Sequence, residues 1–288
     1  MGDVVRHPDW QVPLLLVIVA AILFHTVYVA RADLVTVETT AMSEAWLFQF
    51  EDEATRLSIL DDYRRRLQET PALAFHLDGW IRAAVSHVTA LQGLTLMLAG
   101  LFWWAGHRTL PLRRGAMNLL FSMSLLALVW ISYTLLGWLL ADYPLLASFL
   151  TLIATGLLLF PWLNALSFLG QDPEYGALLG VVAHGMMVWV PVHLIGTLVA
   201  AAHGGLLTPM DQVAPTSLGA LFWAPGEGGA LAALLQAPDL AWLWFWVLVV
   251  AGLRQLTGWD TTKIWVLAAS PWVAWTLITT VFSMATAR

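Results

Sequence analysis

The chain contains no cysteine. Disulfides, thiolate metal sites and thiol catalysis are therefore excluded, and nothing fixes a redox compartment. Charge is scarce as well. Charged residues make up 11% of the 288 and hydrophobic ones 59%, too little polar surface for a soluble domain of this length. The 13 Lys+Arg face 19 Asp+Glu, for a net charge of −6, and no basic run of the nucleic-acid-binding kind occurs. A nucleic-acid partner is not expected. No nucleophile elbow, Walker loop or HExxH zinc motif is present, and Glu38, Glu44, Glu51 and Asp52 form no defined acid–base pair. The reading is a non-enzyme without a cofactor.

What the chain has instead is apolar length. Seven stretches, 11–30, 83–106, 116–140, 145–169, 177–201, 239–255 and 264–285, can each cross a bilayer, the sixth only at the lower limit. At ~20–25 residues each they consume about 160 residues. The expected fold class is all-α: one polytopic transmembrane helical bundle of about seven spans, with the lipid bilayer as its first partner. Asp3 and Asp9 weaken the first stretch as a secretory signal, while Ala30-Arg31-Ala32 has the form of a cleavage site. A retained first span and a cleaved signal both stay open.

Arg and Lys set the orientation. Arg6, the turn 107–114 with Arg108, Arg113 and Arg114, and the turn 254–263 with Arg254 and Lys263 fall on one face of a seven-span chain. That face is expected to be cytoplasmic, in a bacterial inner membrane, with the N-terminus inside and the C-terminus outside. The acidic turn 170–176 must then also be inside.

Two longer segments then lie outside. In 31–82, Trp46, Phe50, Leu57, Leu60 and Leu67 recur at steps of four and three, which predicts an amphipathic helix over 43–69 that ends before Pro71. Its other face carries Asp52, Arg56, Asp61, Asp62, Arg65 and Arg66. It reads either as a helix lying over the span ends or as a docking surface. In 203–238, Gly and Pro separate the short apolar runs 217–224 and 229–236, which read as interfacial or re-entrant pieces. The partner-docking candidates are Arg64, Arg65, Arg66, Phe222 and Trp223.

Histidine is the reactive residue type inside the spans. His25 lies in the first, His184 and His193 in the fifth, and His87 and His203 near span ends. An ionisable residue within a membrane is a functional candidate. His184 and His193 are nine apart, hence on nearly opposite faces of one helix, and no carboxylate sits mid-span. No metal site follows. His25 and His193 remain the candidates for a haem-binding pair, against the blander reading of neutral histidines bonded to backbone carbonyls.

Gln92, Asn118, Tyr133 and Asn164 are read as interhelical hydrogen-bonding groups, and Pro161 and Pro191 as kinks. A transport pathway would place a polar cavity near Pro161, Asn164 and Pro191. Most of the 17 Trp, including Trp103, Trp104, Trp242, Trp244, Trp246 and Trp265, are read as interfacial belts.

Three segments resemble a family. HPDWQVPLLLVIVA resembles the N-terminal span of bacterial members of the Yip family of multi-spanning membrane proteins. DPEYGALLGVVAHGMMVWVPVHLIGTLVAA and PDLAWLWFWVLVVAGLRQLTGWDTTKIWVLAASPWVAW look similar to its span after a polar turn and to its final hairpin. On this resemblance 171–285 is a Yip-like helical core, and 83–140 is an inserted hairpin that departs from the pattern. The resemblance implies a non-enzymatic accessory or scaffold subunit that assembles with other membrane proteins, such as an ABC-type exporter. The alternatives are a transporter or channel subunit for a small or lipidic substrate, and a haem- or quinone-binding redox subunit.

Overall fold

The computed structural model describes residues 9–44, 52–106, 112–140, 143–171, 173–208, 210, 213, 216 and 239–286. Its helices are α1 (Gln11–Arg31), α2 (Leu34–Glu44), α3 (Glu53–Glu69), α4 (Ala72–Trp104), α5 (Leu112–Leu139), α6 (Pro144–Leu169), α7 (Pro173–Met186), α8 (Trp189–Ala202), α9 (Leu240–Thr257) and α10 (Thr261–Thr286). Among the described residues no strand forms. Five helical stretches are long and apolar enough to cross a membrane: Gln11–Arg31, Ala72–Trp104, Pro144–Ser167, Glu174–Ala202 and Leu240–Thr257. These mark a membrane protein. Its outer apolar residues agree. Leu15, Leu157, Leu198 and Val266 are all more than half exposed, an arrangement that lipid tolerates and water does not.

Aspartates start several helices. Asp52 accepts from the Thr55 backbone and hydroxyl at the head of α3, Asp239 from the Ala241 and Trp242 amides of α9, and Asp260 from the Thr262 amide of α10. The Thr55 hydrogen bonds hold Asp52 below the usual carboxylate range, and the amide and hydroxyl of Thr262 do the same for Asp260. At the other end of α9, Gly258 takes the left-handed conformation and closes the helix on the Arg254 carbonyl.

The spans meet through small residues. A Cβ on Gly252 of α9 would stand 2.6 Å from the Val181 side chain of α7, and one on Gly185 of α7 would stand 2.8 Å from Val249. Gly196 of α8 faces the Phe24 ring of α1 in the same way. Close backbone approach is how helices associate in a solvent that gives them no hydrophobic reward for doing so. The core behind these contacts holds Val17, Leu91, Phe102, Trp162, Leu166, Leu178, Val181, Phe245 and Ile264.

Two ends can be distinguished. At one, Gln11 bonds Ser167 and Phe102 stacks on Trp259. At the other, Ala32 and Leu206 form an isolated parallel bridge, with Asp33 N donating to Leu206 O at 2.9 Å and Leu206 N donating to Arg31 O at 3.1 Å. Tyr28 also donates to Thr208 O. The segment after α1 and the segment after α8 therefore share one end, here called the far end.

Several expectations need correction. The helix over 43–69 is not continuous: Asp52 is extended and begins α3 afresh, because its side chain is worth more as a cap than as a helical residue. Trp46 and Phe50 lie outside the described residues. No residue of α3 is fully buried: Leu57 is 58% exposed, while Leu60, Tyr63 and Leu67 are half-buried, so its apolar stripe is only partly covered. The second span starts at Ala72, directly after Pro71, rather than at 83. The fifth is two helices. Pro191 sits in the first turn of α8, where its missing N–H costs nothing, and the clash its ring would make with the carbonyl four residues earlier falls at Met187, in the break. Trp246 is buried at 3% exposure, in a cluster with Phe245, Trp242 and Trp189, and is not an interfacial residue.

Gly252→Ala should lower the thermal unfolding midpoint of the purified protein, by a strain of about 1–3 kcal/mol. Gly93→Ala, whose new methyl meets nothing within 4 Å, should leave it unchanged or raise it. Equal midpoints for the two variants would contradict the close α7–α9 contact.

Candidate functional site

α1 lies between α4 and α8, and each of the three supplies a histidine. His87 of α4 sets the geometry. Its Nδ1 stands 2.7 Å from the Ala83 carbonyl one turn earlier. A carbonyl only accepts, so in the neutral ring Nδ1 carries the proton and Nε2 presents a lone pair. That lone pair faces Nε2 of His193 on α8 at 3.4 Å, with the rings edge to face at 5.4 Å between centroids. A hydrogen bond between two ring nitrogens needs one proton, so His193 carries its own on Nε2. The tautomers of both residues follow from their partners.

His25 of α1 packs against Gly79 of α4. Its Nδ1 is 2.6 Å from where a Cβ at Gly79 would be, so only glycine at 79 leaves room for the ring. Arg82 and His87 are its electrostatic neighbours, and His193 in turn senses both His87 and His25. Next to His25, Thr26 donates to Ile22 O and accepts from Trp80 Nε1 at 3.0 Å, tying α1 to α4.

Toward the far end the polar groups continue. Arg82 pairs with Asp78 one turn away at 3.2 Å, and Tyr133 of α5 donates to the same carboxylate oxygen at 3.0 Å. Asp78, Tyr133, Ser148 and Thr151 line a cavity of about 190 Å³ between α4, α5 and α6. Glu38 of α2 hydrogen-bonds Tyr63 of α3 and lies within electrostatic range of Arg82. Burial, and then the Glu38 charge, raise the Tyr63 phenol above its ordinary value. A larger apolar groove of about 720 Å³ runs between the starts of α4 and α6, lined by Leu73, Leu77, Leu146 and Phe149.

This arrangement can move a proton. A proton arriving at Nδ1 of His193 makes it an imidazolium, which can pass its Nε2 proton to Nε2 of His87. Each ring stays within its two ordinary ionisation states. Two imidazolium ions at 3.4 Å repel each other, so the pair accepts one added proton and not two. Among the described residues no group of three or more His, Asp or Glu is placed to hold a metal ion. Of the candidate pair His25 and His193, the second has its Nε2 against Nε2 of His87 at 3.4 Å.

The other sequence candidates are scattered. His184 and His203 bond the carbonyls of Gly180 and Val199, each one turn back. Gln92 accepts from Trp162 Nε1 and Tyr133 bonds Asp78, both between helices as expected, whereas Asn164 bonds the Phe160 carbonyl of its own helix. Pro161, Asn164 and Pro191 are exposed, and both cavities above are lined elsewhere. Arg65 and Arg66 share Asp62, Arg64 is exposed, and Phe222, Trp223 and Asn118 have side chains outside the description. Sequence reading placed His87 at a span end and passed over Asp78 and Arg82. The signal for all three was the start of α4 at Pro71, which moves them inside the helix.

Histidine-selective ¹⁵N NMR of the purified protein at neutral pH should find His87 protonated at Nδ1 and His193 at Nε2. The opposite tautomer at either ring would break the geometry. Compared with family models, with curated proteins and with solved structures, the chain has no match in any of the three.

Proposed function

We propose that the protein is a proton-handling membrane protein of the transporter class, with the His87–His193 pair as its working site. The observation that carries this reading is the direct Nε2–Nε2 contact of two histidines from different helices. A structural histidine inside a bundle is content with one carbonyl, as His184 is. Two rings spending their remaining nitrogens on each other hold a proton in a position from which it can move. The break before α8 adds to the case. Discontinuous helices are typical of transport proteins, and here the break lies about one turn before His193.

In this reading α5 and α10 complete seven spans. The end where Gln11, Phe102 and Trp259 gather is cytoplasmic, because the turns 107–114 and 254–263 concentrate arginine and lysine there. The far end, with α2, α3 and the segment after α8, is extracytoplasmic, and the membrane is a bacterial inner membrane. A second reading, an accessory subunit of the Yip type that docks other membrane proteins, is favoured by one observation: Leu57 and Arg64 of α3 are exposed and no residue of that helix is fully buried.

Purified protein in vesicles with a trapped pH-sensitive dye should pass protons under an imposed potential. His87→Phe and His193→Phe should each reduce that flux at least tenfold, with Gly93→Ala as the unaffected control. Absence of flux in the unaltered protein rejects the reading and leaves docking through α3 as its successor.

Topology is tested separately, and the lack of native cysteine makes every introduced thiol unique. In intact cells a cysteine at Ala105 or Thr261 should resist an impermeant reagent, while one at Ser58 should react. The reverse pattern inverts the orientation.

A further inference from the structure

The polar cavity and the apolar groove at the far end adjoin. Both lie between α4 and α6, and Pro144 lines each of them. Along α4 the wall passes from Leu77 in the groove to Asp78 in the cavity, and along α6 from Leu146 to Ala147 and Ser148. At about 720 and about 190 Å³ they reach the ~300–1,000 Å³ usual for small-molecule sites. Neither His87 nor His193 lines either part.

The cavity offers mostly hydrogen-bond acceptors. Asp78 Oδ2 receives both the Arg82 guanidinium and the Tyr133 hydroxyl, which leaves Oδ1 without a partner among the described residues. Tyr133 spends its proton on that carboxylate and Thr151 its proton on the Ala147 carbonyl, so both oxygens can only accept more. Pro144 has no N–H to give. Among the lining side chains only Ser148 keeps a proton to donate. Arg82 does not occupy the space: its side chain is 64% exposed and it is not part of the wall. A wall of acceptors around a carboxylate suits a ligand that brings several N–H donors and a positive charge.

The groove supplies the complement. Leu73, Leu77, Leu146 and Phe149 give it an apolar floor, and Glu69 is its one charged lining residue. Arg65 and Arg66, one turn before Glu69, are both bridged to Asp62, and Glu69 has no ion pair among the described residues. No lysine or arginine lines either part. A phospholipid seated here would bring its phosphate to an acidic mouth, which argues against membrane lipid as the occupant. We propose that the two parts together bind a small amphiphilic primary amine. Its ammonium has three donors for Asp78 Oδ1, Ser148 Oγ and Thr151 Oγ1, and its hydrocarbon lies along the groove. No step of this binding uses the His87–His193 pair, so the inference stands apart from the proton-handling reading.

The test is calorimetric titration of the purified protein with hexylamine, compared with hexan-1-ol, hexanoate and methylamine. Hexylamine should saturate at one per chain. The neutral and anionic chains of equal length, and the head without a tail, should each bind at least tenfold more weakly. Asp78→Asn should weaken hexylamine at least tenfold. Gly137→Leu should abolish its binding, because Gly137 lines the cavity and a Cβ there meets nothing within 4 Å, so the new side chain fills the space without disturbing a neighbour. Hexan-1-ol binding as tightly as hexylamine overturns the proposal, and so does unchanged affinity in Asp78→Asn. Displacement of bound hexylamine by phosphatidylethanolamine assigns the groove to membrane lipid and overturns it as well. If Asp78→Asn fails to fold, binding retained in Gly137→Leu is the overturning result. Absence of saturable hexylamine binding to the unaltered protein rejects the site and leaves the His87–His193 pair untouched.

Discussion

The site depends on one steric constraint: α1 is held between two glycines. Gly196 of α8 receives the Phe24 ring, and Gly79 of α4 receives the His25 ring, so adjacent residues of α1 dock on opposite neighbours. Any side chain at either glycine would push α1 outward and open the bundle at the level where the histidines meet. Lipid gives no hydrophobic drive for closing that gap, and the fit of ring on backbone must supply it through dispersion and through the bonds it permits. The Trp80–Thr26 bond is one of these, and the alignment of His193 with His87 is the other.

Proline does complementary work at two places. Pro71 precedes α4 and lets that helix start well before its most apolar part, which brings His76, Asp78 and Arg82 into a helix that also contains His87. Pro191 sits in the first turn of α8, just after the break that ends α7 at Met186. The two prolines therefore decide which polar residues enter the bundle, while the glycines decide how closely they meet.

How far the sequence discloses this can be argued residue by residue. The spans were legible because apolar runs of 20 residues have few other uses, and α1, α6 and α9 lie within two residues of their expected ends. The extent of α4 was not, because His76, Asp78 and Arg82 lower its hydropathy and disguise a helix that continues through them. Nor was the meeting of His87 with His193. In water a buried face is recognised by its contrast with a polar one, but on these helices both faces are apolar: Val17 is fully buried while Val19, two residues on, is 53% exposed. With that contrast gone, rotation about the helix axis is written only in small residues and polar atoms. The stripe on α3 is only partly covered, with Leu60 and Leu67 half-buried and Leu57 exposed. Its spacing is genuine, but periodicity says that a face could be covered and not that anything covers it.

The parallel bridge between Ala32 and Leu206 bears on how the chain is made. Tyr28 and Thr208, which close the same contact, are 180 positions apart. During synthesis α1 emerges while its partners on α8 do not yet exist, so the backbone groups of Arg31 and Asp33 must wait for most of the chain to be translated. The stitch can close only when α8 has inserted and its trailing segment has come out on the same side as the end of α1. It is a late event by construction, and it completes only for chains whose intervening spans have all threaded with the correct parity. A chain that missed one crossing would deliver residue 206 to the wrong side of the bilayer, and the two short backbone segments would never meet.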